Sequence, residues 1–224
     1  MPPAHGAGLL CSGNGGCGMS GDITVALGFR AHSGWAVVVA VAGFPDSLAI
    51  VERRRIETVP PSIGAARQPY HAAAAMDIEA AEAWIRQCRE VSGSLAAQAV
   101  RVLVAHLKER GHAVAGAGIL FASGRPLPDL SANLRSHAMI HTAEGEFFRE
   151  ALVHASEQSG LPVIRVKERE VWDRASLLFR QPASDLRRRI DKLGRSLGPP
   201  WRQDEKLASL AAWISGSESA KHTV

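Results

Sequence analysis

The first residues that could do chemistry lie in an otherwise apolar stretch, "ALGFRAHSGWAVVV", at residues 26–39. This stretch places Arg30, His32 and Trp35 around a very short turn between two strand-like runs. A guanidinium beside an imidazole is suited to an anion such as a phosphate or a carboxylate. The alternative is a buried structural ion pair, for which Asp204 is one candidate partner of Arg30. Both interpretations stay open at the level of sequence.

A second group of polar residues, His137, His141 and Glu144, lies in "SHAMIHTAEGEFFREAL". At about 100° per residue, the three side chains share one stripe of a helix. The same stripe continues with apolar residues, Phe148, Leu152 and Ala155. We therefore expect the two histidines and Glu144 to point inward. Three charged residues fall on the other, solvent-facing side of this helix, Glu146, Arg149 and Glu150.

Three interpretations of the inward group compete, because buried polar side chains need partners. The His-x3-His spacing with the following glutamate could bind a metal ion. The same residues could act as general base and orienting group in a hydrolytic site. They could also form a hydrogen-bonded network that ties the helix to the opening hairpin. All three assume one unbroken helix, whereas Thr142 could cap a new one.

Three single residues complete the candidate binding set. His71 follows a proline-rich loop and the only tyrosine of the chain. Trp201 follows two prolines, where it could stack on a base or pack under a loop. Lys206 lies in a basic C-terminal region: residues 163–206 contain twelve lysines and arginines against seven acidic residues. The net charge of +4 permits a polyanionic partner, although the basic residues could also form an ordinary solvated surface.

Composition limits the broader class of protein. Hydrophobic residues make up 46% of the 224 residues and charged residues 21%, which is typical of a globular protein. No apolar run reaches the roughly 18 residues that a membrane span needs. The odd count of three cysteines favours a reducing compartment, the cytoplasm. The glycine-rich residues 1–21 are predicted to be a disordered tail, as are residues 217–224, with one domain at 22–216.

The elements that must position these residues begin with three strand-like runs, Ile23–Arg30, Trp35–Gly43 and Leu48–Val59. Short connections predict that these three strands form an antiparallel meander. The later segments are a helix at about 76–111 with a break expected at 92–94, a strand at 113–123, a helical region at 130–159, a strand at 161–167, and helices at 168–179, 184–197 and 204–214. The predicted order is β-β-β-α-β-α-β-α, an α/β fold with right-handed crossovers.

The motifs within this order resemble those of a known nuclease family. "LGFRAHSGWAVV" is similar to the opening hairpin of RuvC-type Holliday junction resolvases, with Ser33-Gly34-Trp35 at the Thr-Gly-aromatic step. "AEGEFFREALVHASEQSGLPVIRVKEREVW" resembles the second crossover helix of that family with the strand and helix that follow, and "DEKLASLAAWI" its closing acidic helix. The resemblance covers roughly residues 23–214. It implies a ribonuclease H-like fold: a mixed five-stranded sheet with helices on both faces.

The resemblance also implies two divalent cations, held by carboxylates from the first strand, the fourth strand and the last helix. Residues 23–43 and 113–123 contain no aspartate or glutamate. Arg30 stands where the family has its first-strand aspartate, and only Asp204 and Glu205 match the closing acidic pair. We therefore predict no metal site and no cofactor, because the carboxylate pattern does not support Mg²⁺.

Three functions remain open. The first is a degenerate ribonuclease H-like protein that binds nucleic acid or another phosphate-bearing ligand through Arg30, His32 and the basic C-terminal helices. The second is a hydrolase of different chemistry, with His71, His141, Glu144 and Asp204 around one cleft. The third is a non-catalytic structural or oligomerising protein, for example a homodimer. We further expect Arg30, His141, Glu144 and Asp204 to converge on one pocket.

Overall fold

The computed structural model describes residues 23–122 and 126–221. Its strands are β1 (Ile23–His32), β2 (Trp35–Ala42), β3 (Ala49–Glu57), β4 (His112–Phe121) and β5 (Val163–Lys167). Its α-helices are α1 (Pro69–Ala73), α2 (Ile78–Glu109), α3 (Leu130–Leu134), α4 (His137–Gln158), α5 (Val171–Phe179), α6 (Ala183–Leu193) and α7 (Gln203–Lys221). The predicted N-terminal tail at 1–21 and Ser123, the predicted end of the fourth strand, lie outside the described residues.

The five strands form one mixed sheet in the order β3-β2-β1-β4-β5. The first three strands are antiparallel neighbours, and the register pairs Arg30 with Val37 and His32 with Trp35. Strands β1, β4 and β5 run parallel to each other. The predicted meander and the predicted mixed five-stranded α/β sheet with helices on both faces are therefore confirmed. The carboxyl ends of the three parallel strands meet at one edge of the sheet, where ligands of open α/β sheets commonly bind.

The two faces of the sheet are covered by different helices. Side chains of β1 such as Leu27 and Phe29 pack in one apolar cluster with Val100 of α2 and Leu152 of α4. On the other face of the sheet, side chains of β2 pack against Ala208 and Ala212 of α7; they are Val37, Val39 and Val41. Because successive side chains of a strand point to opposite faces, Arg30 and His32 lie on the same face as α7.

Helix α7 lies directly on the backbone of the two central strands. A Cβ atom at Gly28 of β1 would lie 1.9 Å from the carbonyl oxygen of Ala208, and one at Gly118 of β4 would lie 2.2 Å from that of Ala211. Neither position can hold a side chain without moving the helix. The residues of α7 from Leu207 to Gly216 are all buried, since α5 and α6 cover its outer side. A helix that is apolar all round is typical of such a sandwiched position.

Several predicted boundaries are wrong. Helix α2 continues through 92–94 without a break, and Ser92 is one of its buried residues. The region at 130–159 divides into α3 and α4, and α4 begins where the Ser136 hydroxyl accepts the amide hydrogen of Met139. Thr142 does not cap a new helix, because its hydroxyl donates to the carbonyl of Ala138 within an unbroken α4.

The end of the predicted domain also differs from the prediction. Helix α7 extends to Lys221, five residues beyond the expected boundary at 216, and Ser217 is buried. Residues 217–221 are thus part of the helix and not of a disordered tail. In the described part of the chain, none of the helices combines the length and the apolar character that crossing a membrane requires.

Candidate functional site

Arg30 forms the centre of an ion-pair cluster at the carboxyl end of β1. Its guanidinium donates to both carboxylate oxygens of Glu168, from Nη2 to Oε1 at 2.8 Å and from Nε to Oε2 at 3.1 Å. A second hydrogen bond runs from Nη1 to the Asp204 carboxylate at the start of α7. The side chains of Arg30, Glu168 and Asp204 are 20%, 31% and 24% exposed, so the cluster is partly shielded from water. The predicted carboxylate partner of Arg30 is confirmed, and Glu168 is an additional one.

The bidentate pairing with Glu168 raises the pKa of Arg30 above its ordinary value. Desolvation opposes the rise, whereas the hydrogen bond to Asp204 and the charges of both carboxylates add to it. Arg30 is therefore a permanent cation between two carboxylates. Such an arrangement leaves no room there for a divalent metal ion, because the guanidinium already occupies the carboxylate oxygens and repels a second cation.

His32 lies beside this cluster, on the same face of β1. Its Nε2 atom is 3.1 Å from Oδ1 of Asp204, and its ring stacks on Trp35 with centroids 4.1 Å apart. The guanidinium of Arg55 covers the Trp35 ring at 3.9 Å, so the tryptophan is sandwiched between two cationic or polar groups. The opening hairpin thus holds its imidazole in a fixed orientation at the end of β1.

A groove of about 830 Å³ opens above the ion-pair cluster. The residues that line it come from the carboxyl ends of β1 and β4 and from the turn after β5. Helices α4, α5, α6 and α7 contribute the others. Polar and aromatic members are Arg30, His32, Arg149, Glu168, Arg169, Trp172, Arg187 and Gln203. Arg30 and Arg149 of this lining are already paired with carboxylates. The positive charge that favours an anionic ligand therefore comes from Arg169 and Arg187.

Two arginines of this groove are well placed to meet a ligand. Arg187 of α6 is exposed and lies over the Trp172 ring, with its Cζ atom 4.1 Å from the ring centroid. Arg169 has a 67% exposed side chain, and its pair with Glu170 is an exposed one that contributes little. Arg149 is less available, since its side chain is only 17% exposed and lies 3.4 Å from Glu146.

The second predicted group is found at a different place. Glu144 is 4% exposed, and its Oε1 atom accepts the backbone N–H of His71 at 3.1 Å. The same oxygen lies 2.9 Å from Nδ1 of His71. His137 and His141 are exposed, with Nε2 atoms 3.1 Å apart, so the predicted inward orientation is correct for Glu144 and wrong for the histidines. One nitrogen from each of the three imidazoles lies within 4.8 Å of the others, a spacing that could hold a metal ion.

The predicted convergence of Arg30, Asp204, His141 and Glu144 on one pocket is wrong. Arg30 points to the α7 face of the sheet, whereas α4, which carries His141 and Glu144, packs on the face of Phe29. Among the described residues, neither His141 nor Glu144 lines the groove around Arg30. The physical reason is that successive side chains of β1 point to opposite faces of the sheet, so residue 30 points away from the face of residues 29 and 31.

Glu146 does not lie on a solvent-exposed side of α4, contrary to the prediction. Its side chain is 13% exposed. Burial raises the pKa of its carboxyl group; the charge of Glu150 adds to the rise, and those of Arg149 and Arg165 oppose it.

Trp201, Lys206 and Glu205 do not line the groove but hold the start of α7. The Trp201 indole donates to the carbonyl of Ile190 at 3.2 Å, and its ring occupies the space that a side chain at Gly194 would need. Lys206 pairs with Asp191 at 2.8 Å. The Glu205 carboxylate accepts the N–H of Arg202 at 2.7 Å and so caps the helix. The ligand roles of Trp201 and Lys206 stay predictions.

Sequence reasoning missed Glu168, Arg169, Trp172 and Arg187. A signal for the first two was present, because they directly follow β5, a parallel strand whose carboxyl end must lie beside those of β1 and β4. Trp172 and Arg187 lie on separate helices, α5 and α6, and carried no such signal.

No protein-family model matches the sequence, and no curated protein is significantly similar to it. Among solved structures, the chain is similar to Thermus thermophilus RuvC in complex with a Holliday junction substrate, with a TM-score of 0.49 and 9% identity. A second structure of Thermus thermophilus RuvC gives a TM-score of 0.46 and 11% identity. Both comparisons cover 89% of this chain and 97% of the other. Similarity at this level carries no information on the activity of this chain.

Proposed function

We propose that the chain binds the phosphodiester backbone of nucleic acid in the groove at the carboxyl ends of β1, β4 and β5, without cleaving it by metal-dependent chemistry. The observation that carries this proposal is the pairing of Arg187 with Trp172 beside the exposed Arg169. A guanidinium presents a planar fork that matches phosphate oxygens, and the Trp172 ring beneath Arg187 holds that fork at the groove.

The charges around the groove support a ligand longer than a single phosphate. Arg169 and Arg187 come from two separate segments, the turn after β5 and α6, so their positive field extends along the groove. The exposed pair of Arg169 with Glu170 is weak and can exchange for a phosphate. The basic stretch of α6, with Arg187, Arg188 and Arg189, continues the field beyond the groove.

The ion-pair cluster supports the proposed absence of metal-dependent cleavage. Metal-dependent hydrolysis needs carboxylate oxygens that are free to bind divalent cations. Glu168 and Asp204 both bind the guanidinium of Arg30, so their oxygens are engaged in ion pairs. A hydrolase that combines Asp204 with His141 and Glu144 is not favoured, because the sheet separates them.

The test is a binding titration with fluorescently labelled single-stranded, duplex and four-way-junction DNA at low salt. The double variant Arg169→Ala/Arg187→Ala should weaken binding at least about tenfold and flatten the dependence of affinity on salt concentration, since two phosphate contacts are lost. The matched control is Arg86→Ala/Arg101→Ala, which removes the same charge from exposed positions on α2, outside the groove and outside the basic stretch of α6.

The control variant should bind within about twofold of the parent chain. Equal weakening in both double variants would show non-specific attraction to a basic surface and would contradict the groove. No binding to any of the three DNA forms, with inorganic polyphosphate bound instead, would assign the groove to a different phosphate-bearing ligand.

A further inference from the structure

Three imidazoles from two helices meet outside the arginine groove. His137 and His141 lie one turn apart on α4, with ring centroids 4.5 Å apart. His71 of α1 faces both rings, with its centroid 5.3 Å from that of His137 and 4.7 Å from that of His141. The packing of α1 on α4 therefore brings His71 next to two histidines that lie 66 and 70 residues further along the sequence.

The spacing of their nitrogens fits a single metal ion. Zinc binds imidazole nitrogen at roughly 2.0–2.1 Å in tetrahedral geometry, which places two bound nitrogens about 3.3 Å apart. The Nε2 atoms of His137 and His141 are already 3.1 Å apart. The three ligand nitrogens lie within 4.8 Å of one another, so a side-chain shift of about 1.5 Å brings the third into the same sphere.

Glu144 supplies the outer partner that a metal-binding histidine usually has. Its buried carboxylate lies 2.9 Å from Nδ1 of His71 and accepts the backbone N–H of the same residue. A carboxylate at Nδ1 favours the tautomer with its proton there, which leaves the lone pair on Nε2 for a metal ion. The negative charge also offsets part of the charge of a divalent cation held by three neutral ligands.

We propose that His71, His137 and His141 bind one divalent transition-metal ion of the zinc class, with Glu144 as the positioning residue behind His71. Imidazole ligands favour zinc and its transition-metal neighbours over Mg²⁺, which prefers oxygen. Because His137 and His141 are exposed, the fourth position of the ion faces solvent. Three protein ligands with one open position is the pattern of reactive rather than purely structural zinc sites. This site is separate from the groove, and its test does not depend on nucleic-acid binding.

The test uses the full chain without an affinity tag, stripped of metal with a chelator and titrated with Zn²⁺ against a chromogenic competitor. We expect one zinc ion per chain. His137→Ala and His141→Ala should each weaken the affinity more than about 100-fold, beyond the 10–100-fold that loss of an outer partner causes. These two residues are exposed, so both variants should keep the melting temperature of the parent chain without metal.

The control variant is His154→Ala, which removes an exposed histidine from the same helix, outside the cluster. It should bind zinc within about twofold of the parent. Glu144→Gln keeps an acceptor for the backbone of His71 but removes the charge, and should weaken the affinity about 10–100-fold. Substitution with Co²⁺ should give the strong visible absorption of a four-coordinate ion. Unchanged zinc affinity in His137→Ala and His141→Ala, or equal losses in His154→Ala, would overturn the proposal.

Discussion

The guanidinium of Arg30 on β1 binds the carboxylate of Asp204 at the start of α7, across 174 residues of sequence. Glu168, which follows β5, closes the other side of the same guanidinium. One cation thus joins the first strand, the last strand and the last helix. Both carboxylates are therefore engaged in ion pairs that link these three elements of the fold.

Replacing Arg30 should therefore destabilise the fold. Arg30→Ala leaves Glu168 and Asp204 facing each other without a cation, and both are partly buried. We expect the free energy of unfolding to fall by about 2 kcal/mol, between the values for exposed and fully buried ion pairs. Urea denaturation at pH 7 measures this loss.

The control for this prediction is Arg188→Ala. Arg188 makes an i,i+3 pair with Asp185 and its side chain is 74% exposed. Its loss should change the free energy of unfolding by less than about 0.5 kcal/mol. Similar small losses for both variants would mean that Arg30 does not hold the three elements together.

A second prediction concerns the contact between α7 and the sheet. Gly28→Ala places a methyl group against the backbone of Ala208 and must push the helix away from β1. We expect the free energy of unfolding to fall by about 3 kcal/mol, at the upper end for overpacked cores. Gly93→Ala is the matched change, because a Cβ at this position of α2 meets nothing within 4 Å. That variant should be more stable by about 0.5–1 kcal/mol. A loss in Gly93→Ala equal to that in Gly28→Ala would contradict the close approach of α7.

Much of this fold could be predicted from the sequence, because the signals for strands and short turns are local. The runs that became β1, β2 and β3 are separated by links too short for a crossover, and this alone requires antiparallel pairing. The break expected at 92–94 was wrong, because Ser92 and Gly93 are tolerated within a long helix whose apolar face is buried. Local propensity yields to tertiary packing at such positions.

The candidate sites were less accessible from the sequence. The stripe on α4 identified Glu144 as inward, but the angle of a residue does not show which turns of a helix its neighbours cover, and both histidines lie exposed in the first two turns of α4. The approach of His71 depends on how α1 packs against α4, a long-range contact that no local pattern records. The groove residues Trp172 and Arg187 come together for the same kind of reason, through the packing of α5 against α6.

A third prediction follows from the burial of Glu146. Its pKa is raised above the value of 4.5 that an unperturbed glutamate has, with burial as the largest cause. When folding raises the pKa of a carboxyl group, its protonated form stabilises the folded state, and this contribution is complete at pH values below the unfolded pKa. The contribution is lost as the pH rises through the folded pKa. At pH 7 the ionised Glu146 therefore weakens the fold, so Glu146→Gln should raise the free energy of unfolding there. The gain should shrink as the pH is lowered towards 4.5.

Urea denaturation of both proteins over a series of pH values measures this effect. Glu157→Gln, an exposed change on the same helix, provides the comparison. It should leave the free energy of unfolding nearly unchanged at every pH. A gain in Glu146→Gln that grows as the pH falls would have the wrong sign and would show that Glu146 is stabilised in its ionised form.

The last prediction tests whether Arg30 takes the place of a metal ion. Arg30→Asp removes the cation and adds a third carboxylate beside Glu168 and Asp204. Without metal this variant should be less stable than Arg30→Ala, because three negative charges now face each other in a partly buried site. Hard cations such as Mg²⁺ prefer several carboxylate oxygens. Millimolar Mg²⁺ should therefore raise the melting temperature of Arg30→Asp and leave that of the parent chain unchanged.

The double variant Arg30→Asp/Asp204→Asn separates this explanation from a general effect of salt. It keeps the new carboxylate but removes the one on α7, so the response to Mg²⁺ should largely disappear, whereas NaCl of equal ionic strength should act alike on all three proteins. The parent chain should also leave duplex and four-way-junction DNA intact in Mg²⁺, since its two carboxylates at this point stay bound to Arg30. Cleavage by the parent chain that Asp204→Asn abolishes would show that the arginine moves aside for a metal ion, and the interpretation of Arg30 as a fixed replacement would then be wrong.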